Sequence, residues 1–166
     1  MADAIGTLAE KLSEYNLFNY LVPGSVFMIA LRYVAGAIPF ENSVVLFLLT
    51  AYFVGMALSR IGSLVIEPVL LWTRLLVLCD FGEFVRAEKN DPKIRTLLQE
   101  TNAYRTMAAV FAALLLTKGA LALRPRFAYF DQIAGWTCPV VLLLLFAFSH
   151  RKMCAYIAKR VGAAKG

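Results

Sequence analysis

Arg60 and Glu67 are the side chains whose types and spacing first invite a chemical reading. They lie in the run Ser59-Arg60-Ile61-Gly62-Ser63-Leu64-Val65-Ile66-Glu67-Pro68, where a long apolar stretch ends. Seven residues put them on one face of a helix but about 10.5 Å apart along its axis, too far for a direct ion pair. Each therefore calls for a partner on another helix or another subunit. Two readings stand side by side: an interfacial salt bridge that holds a bundle together, or a gate that couples a cytosolic region to the membrane. Arg32 and Lys118 also fall inside apolar runs. An ionised group at mid-bilayer costs about 2.5–3.5 kcal/mol. Both residues either snorkel to the headgroups or line a polar vestibule of a pore that favours anions.

Patterns for catalysis are absent. The chain has no P-loop, no G-x-G-x-x-G, no H-E-x-x-H and no G-x-S-x-G. His150, the lone histidine, stands at the end of an apolar run, a poor basis for acid–base chemistry. Cys79, Cys138 and Cys154 are odd in number and form no C-x-x-C pair, so they read as apolar or interfacial thiols rather than metal ligands. The expectation is a protein that is not an enzyme, with no metal site and no cofactor.

Composition names the solvent in which these groups sit. Of 166 residues, 60% are hydrophobic and 17% charged, with a mean hydropathy of +0.68. Soluble domains run at about 45–50% apolar and about 25% charged, and a chain this small cannot hide such an excess in a core. Lipid is the remaining solvent. The expected fold is all-α: a polytopic membrane protein with four transmembrane helices, short amphipathic cytosolic helices and both termini cytoplasmic.

Five segments follow. Residues 1–16 place Ile5, Leu8, Leu12 and Tyr15 on one stripe, an amphipathic helix for the membrane surface or a neighbouring subunit. Nothing there resembles a secretory signal, so the first apolar run is expected to stay as a permanent span. Residues 17–66 hold spans one and two, joined by the short turn Phe40-Glu41-Asn42 after Pro39. Asn19 and Pro23, with Gly24, suggest a kinked or hinged start to span one. In span two, Ala51, Gly55, Ser59 and Ser63 recur every fourth residue, a face for close backbone approach within or between protomers. Ala109, Ala113 and Thr117 repeat this more weakly in span three.

Residues 67–105 form the polar interior stretch, a cytosolic helical segment in which Asp91-Pro92 opens a short amphipathic helix. Residues 106–149 hold spans three and four, and 150–166 are a basic tail without an acidic residue. Twelve Lys and Arg residues in the N-terminal segment, middle loop and tail face four on the other side, which puts both termini and the loop in the cytoplasm. The tail reads as a topology anchor drawn to anionic lipid. Alternatively, with Arg74, Arg86, Lys89, Lys93 and Arg95, it forms a phosphate-binding surface where Tyr104 and Tyr156 could stack bases. The acidic residues Asp80, Glu83, Glu88, Asp91 and Glu100 dilute that surface.

The run Tyr15-Asn16-Leu17-Phe18-Asn19-Tyr20-Leu21-Val22-Pro23-Gly24, followed by Ser59 to Pro68, resembles small multi-spanning membrane effectors of bacterial antiviral defence operons, the Hailong type in particular. The resemblance implies a bacterial inner (cytoplasmic) membrane location and an oligomeric channel controlled by a nucleotide or oligonucleotide signal such as oligodeoxyadenylate. It also implies a cytosolic nucleotidyltransferase as partner. Four helices are too few to enclose a wet pathway, so a homo-oligomeric ring is expected, a tetramer favoured. The alternatives are a non-conducting scaffold or accessory subunit that recruits a cytosolic partner, and a small dimeric transporter.

Overall fold

The computed structural model describes residues 17–36, 43–91, 93–124 and 130–165, and these are helical apart from short connections. The amphipathic helix expected over 1–16 and the turn at residues 40–42 lie outside the described residues.

Helix α1 (Val22–Ala35) follows a π-helical turn, Leu17–Leu21, and stops at Gly36. Gly36 adopts φ 81°, the left-handed conformation that glycine takes without a Cβ penalty, and its N–H donates to the Arg32 carbonyl at 2.8 Å. Helix α2 (Val44–Trp72) is 29 residues long. The Ser43 hydroxyl caps its start by accepting the Leu46 N–H at 3.4 Å. Its C-terminal half contains a second π turn, Gly62–Ile66.

Helix α3 (Phe81–Asn90) is capped by Asp80, whose Oδ1 accepts the N–H groups of Gly82 and Glu83 at 2.8 and 3.2 Å. Helix α4 (Lys93–Leu123) opens with the Lys93 N–H donating to Asp91 Oδ1 at 2.9 Å. Helix α5 (Phe130–Lys165) contains Pro139.

Among the described residues, three helices are long and apolar enough to cross a membrane: Val44–Trp72, Lys93–Leu123 and Pro139–Lys159. Their lengths differ from the expected segments for a simple reason. Hydropathy marks where a helix leaves lipid, but only a backbone breaker ends it. The 93–105 stretch has no glycine or proline after Pro92, so α4 is one 31-residue rod and not a short helix followed by a span. Likewise Lys, Arg and Ala are good helix formers, so α5 continues through the basic tail for 36 residues. Trp72 is the last residue of α2 because the chain then closes a Schellman-type stop. The Arg74 N–H donates to the Leu71 carbonyl, and the N–H groups of Leu75 and Leu76 to that of Leu70. Arg74 occupies the left-handed position at φ 60°, where a non-glycine residue costs about 1 kcal/mol.

The core is small and asymmetric. Met28 of α1, Ala51 of α2 and Ala109 and Val110 of α4 are buried to 2% exposure or less, so α1, α2 and α4 form the packed unit. Thr106 is buried in the same place, its hydroxyl donating to the Asn102 carbonyl at 2.8 Å. Within the most apolar stretch of each long helix, the buried share is 28% in α2, 17% in α4 and 6% in α5. Over Pro139–Lys159, helix α5 therefore presents most of its apolar surface outward, Val141, Leu143, Leu144 and Phe148 among it. The chain runs up and down, so α3 and the C-terminal half of α5 share one end of the bundle, joined by an edge-on contact between Phe81 and Tyr156 at 5.2 Å.

Candidate functional site

Two seams meet at the π turn of α2. The first lies between α1 and α2, where backbone touches backbone. A Cβ on Gly24 would fall 1.8 Å from the Ala51 carbonyl oxygen, and one on Gly55 would fall 1.8 Å from the Tyr20 carbonyl oxygen. Each glycine thus admits the other helix, which is the close approach that small residues permit in lipid. Ala51, Gly55 and Ser59 are buried in this seam or beside it. Asn19 is buried as well, at the π turn before Pro23. One turn further along α2, Arg60 Nη2 donates to the Tyr20 hydroxyl at 3.2 Å, and the Tyr20 ring meets Tyr52 edge-on at 5.7 Å. Arg60 therefore finds its partner on the π turn that leads into α1.

The second seam joins α2, α4 and α5 through Glu67. The Arg105 guanidinium of α4 donates to Glu67 Oε2, and the Lys152 ammonium of α5 donates to Oε1 at 3.1 Å. Lys152 also donates to the Ser63 carbonyl at 2.7 Å and the Ser63 hydroxyl at 2.9 Å. An ammonium has three N–H donors, and all three are taken. Both carboxylate oxygens are taken too. Glu67 and Arg105 expose only 18% and 23% of their side chains, so this junction is shielded, while Lys152 at 42% is half in solvent.

Local sequence explains why Ser63 offers its carbonyl. In an α-helix that oxygen would accept the N–H of residue 67. Here the Glu67 N–H donates instead to Gly62, one residue further back. In π geometry the donor to Ser63 would be residue 68, which is proline and has no N–H. The carbonyl is left without a backbone donor, and Lys152 supplies the proton from another helix. Widening the turn before Pro68 also relieves the clash between the proline ring and the preceding turn. Gly62 then lets α4 approach: a Cβ there would lie 3.1 Å from the Arg105 carbonyl oxygen.

The other sequence candidates do not join this centre. Arg32 and Lys118 are exposed, within a turn or two of the ends of α1 and α4. Arg74 ends α2, Arg86 is exposed with Nε donating to its own helix at Gly82, and Lys93 and Arg95 are exposed on the first turn of α4. The side chain of Lys89 lies outside the described residues. Tyr104 is exposed, whereas Tyr156 is packed on Phe81. Among the described residues, no three His, Cys, Asp or Glu side chains are placed to hold a metal ion.

Sequence reading missed Tyr20, Arg105 and Lys152 as partners. Position along the apolar runs was the usable signal: Glu67 lies near the end of the second, Arg105 at the start of the third and Lys152 just past the fourth. No protein-family model matches the chain, and neither a curated protein nor a solved structure is similar to it. The fold defines its class: among the described residues it is all-helical, with three helices suited to a membrane.

Proposed function

We propose that the chain is the four-span subunit of an oligomeric pore, in which a ligand on the cytoplasmic side shifts α5 about the Glu67 junction and so controls ion conduction. The observation that carries this reading is the attachment of α5: little apolar burial, and a shielded ionic joint to α2 and α4. A helix held by a polar latch can exchange between two positions, and a ligand biases them by its differential affinity.

Helix lengths support the placement in a bilayer. At 1.5 Å per residue, Val44 to Glu67, Arg105 to Leu123 and Phe130 to Arg151 each cover about 27–35 Å, close to the hydrocarbon thickness of about 30 Å. The junction then sits at one boundary. Leu17 to Ala35, with its π turn, reaches about 28 Å, which supports α1 as the fourth crossing. The Lys/Arg asymmetry supports a cytoplasmic position for both termini and for α3, while the bacterial inner membrane rests on the resemblance of the two short runs. Four helices are too few to enclose a wet pathway, and the outward apolar faces supply surface for further copies in a ring.

The nature of the signal, a nucleotide or oligonucleotide made by a cytosolic nucleotidyltransferase, rests on the resemblance of the two short runs described above. Planar-bilayer recording of the purified oligomer tests the whole reading. Conductance that changes on adding oligodeoxyadenylate or mononucleotides is expected. A verified oligomer that stays silent under every condition, while pull-down returns a stable cytosolic protein partner, would favour the scaffold instead.

A further inference from the structure

An open groove of about 610 Å³ runs between α2 and α5, floored by Leu64, Val65, Leu144, Leu145 and Phe148. Arg151, Lys152 and Ala155 line its other end. We propose that this groove binds one anionic phospholipid, with an acyl chain along the apolar floor and the phosphate on Arg151.

Dimensions and charge both point to this occupant. From Val141 to Ala155 the groove follows α5 for about 21 Å, the depth of one leaflet: about 15 Å of hydrocarbon plus about 5–8 Å of headgroup. Arg151 lies about 15 Å along from Val141, where hydrocarbon gives way to headgroup. Arg105 and Lys152 share one carboxylate, Glu67, and Arg151 lines the groove beside Lys152, so the mouth is left with uncompensated positive charge. The Lys152 donors are consumed by Ser63 and Glu67, and it contributes charge alone. Arg151 is exposed and makes no hydrogen bond or ion pair among the described residues, so its planar fork is open to a phosphate. Such a lipid bridges α2 and α5 on the side of the joint that lacks apolar packing. The proposal rests on membrane embedding and not on conduction, so a silent electrical recording leaves it standing.

Native mass spectrometry of the full chain released from detergent micelles tests it. The probes are phosphatidylglycerol and phosphatidylcholine with identical acyl chains. Phosphatidylglycerol adducts should survive activation that strips phosphatidylcholine. Arg151→Gln should lower phosphatidylglycerol retention about fivefold, the effect of one cation near a charged headgroup, and lower phosphatidylcholine retention less, because its choline cation offsets the phosphate. Leu144→Trp keeps the charge and fills the floor, and it should reduce retention of both lipids without altering the oligomeric state. Equal retention of the two lipids, or phosphatidylglycerol retention unaffected by either variant, overturns the proposal. Crosslinks between copies from residue 144 in lipid-replete membranes would also overturn it, because a second chain would then fill the groove.

Discussion

Helix α2 makes two seams, and they are built from opposite materials. Against α1 it offers glycine and alanine, and the two backbones meet through Gly24 and Gly55 with Met28 and Ala51 sealed beside them. Against α5 it offers a carboxylate and a carbonyl, answered by one lysine, and a single ring contact from Phe53 to Phe146, while most of the apolar flank of α5 stays outside. Dispersion between close-packed surfaces is short-ranged and intolerant of added atoms. An ionic latch is the reverse: it tolerates volume change and fails when one charge is removed. The first seam is suited to a fixed frame, and the second to a part that changes position.

Breaking the first seam should have the largest effect. Gly55→Ala sets a methyl group against the Tyr20 carbonyl and should destabilise the protein by about 3 kcal/mol, seen as loss of the monodisperse peak on fluorescence-detected size exclusion after heating. A variant as stable as the parent would mean that the helices are not in backbone contact. Next comes Glu67→Gln, which keeps shape and removes charge. Loss of the shielded pair with Arg105 should cost about 2 kcal/mol, with little added for the half-exposed Lys152. The loss should appear locally: amide exchange in α5 rises while exchange in α1 is unchanged. Equal loosening of both helices would erase the distinction between the seams.

Pro68→Ala sharpens the comparison further. It restores an N–H at position 68, lets the turn close on Ser63 and takes one acceptor from Lys152. Exchange at Gly62–Ile66 should slow while α5 loosens, each by about 1 kcal/mol. Opposite signs on two helices from one substitution is the outcome to look for, and a uniform change would remove Pro68 as the cause of the open carbonyl. The smallest effect is expected from Tyr20→Phe, which removes the hydroxyl that receives Arg60 and should cost about 1 kcal/mol, confined to the α1–α2 seam.

The sequence made the frame legible and the latch only half so. Of the fourfold set, Ala51, Gly55 and Ser59 are buried in or beside the contact with α1, because close approach needs small side chains whatever the partner, whereas Ser63 meets Lys152 of α5 instead. The separation of Arg60 from Glu67 followed from helical rise alone. Their partners did not follow, because one sequence gives the depth of a residue in the membrane but not the azimuth of its helix. Arg105 and Lys152 had the right depth, and so did several other cations. The length of α5 was hidden for a different reason: its apolar run ends at Ser149, but nothing in Arg151 to Val161 breaks a helix. The π turns were hidden too, since Pro23 and Pro68 announce a disturbance without saying how the backbone absorbs it.

The central claim is that movement of α5 relative to α2 controls the pore, and a reversible lock tests it most directly. Phe53 of α2 and Phe146 of α5 have ring centroids 6.0 Å apart. Phe53→Cys and Phe146→Cys, in a background with Cys79, Cys138 and Cys154 replaced by serine, can be bridged by a reducible thiol crosslinker within one copy. Ion flux is then recorded before and after reduction in the same liposomes. The account predicts a locked protein fixed in one conductance state, with the response to ligand restored by reductant. A locked protein that conducts and responds as well as the reduced one would contradict it.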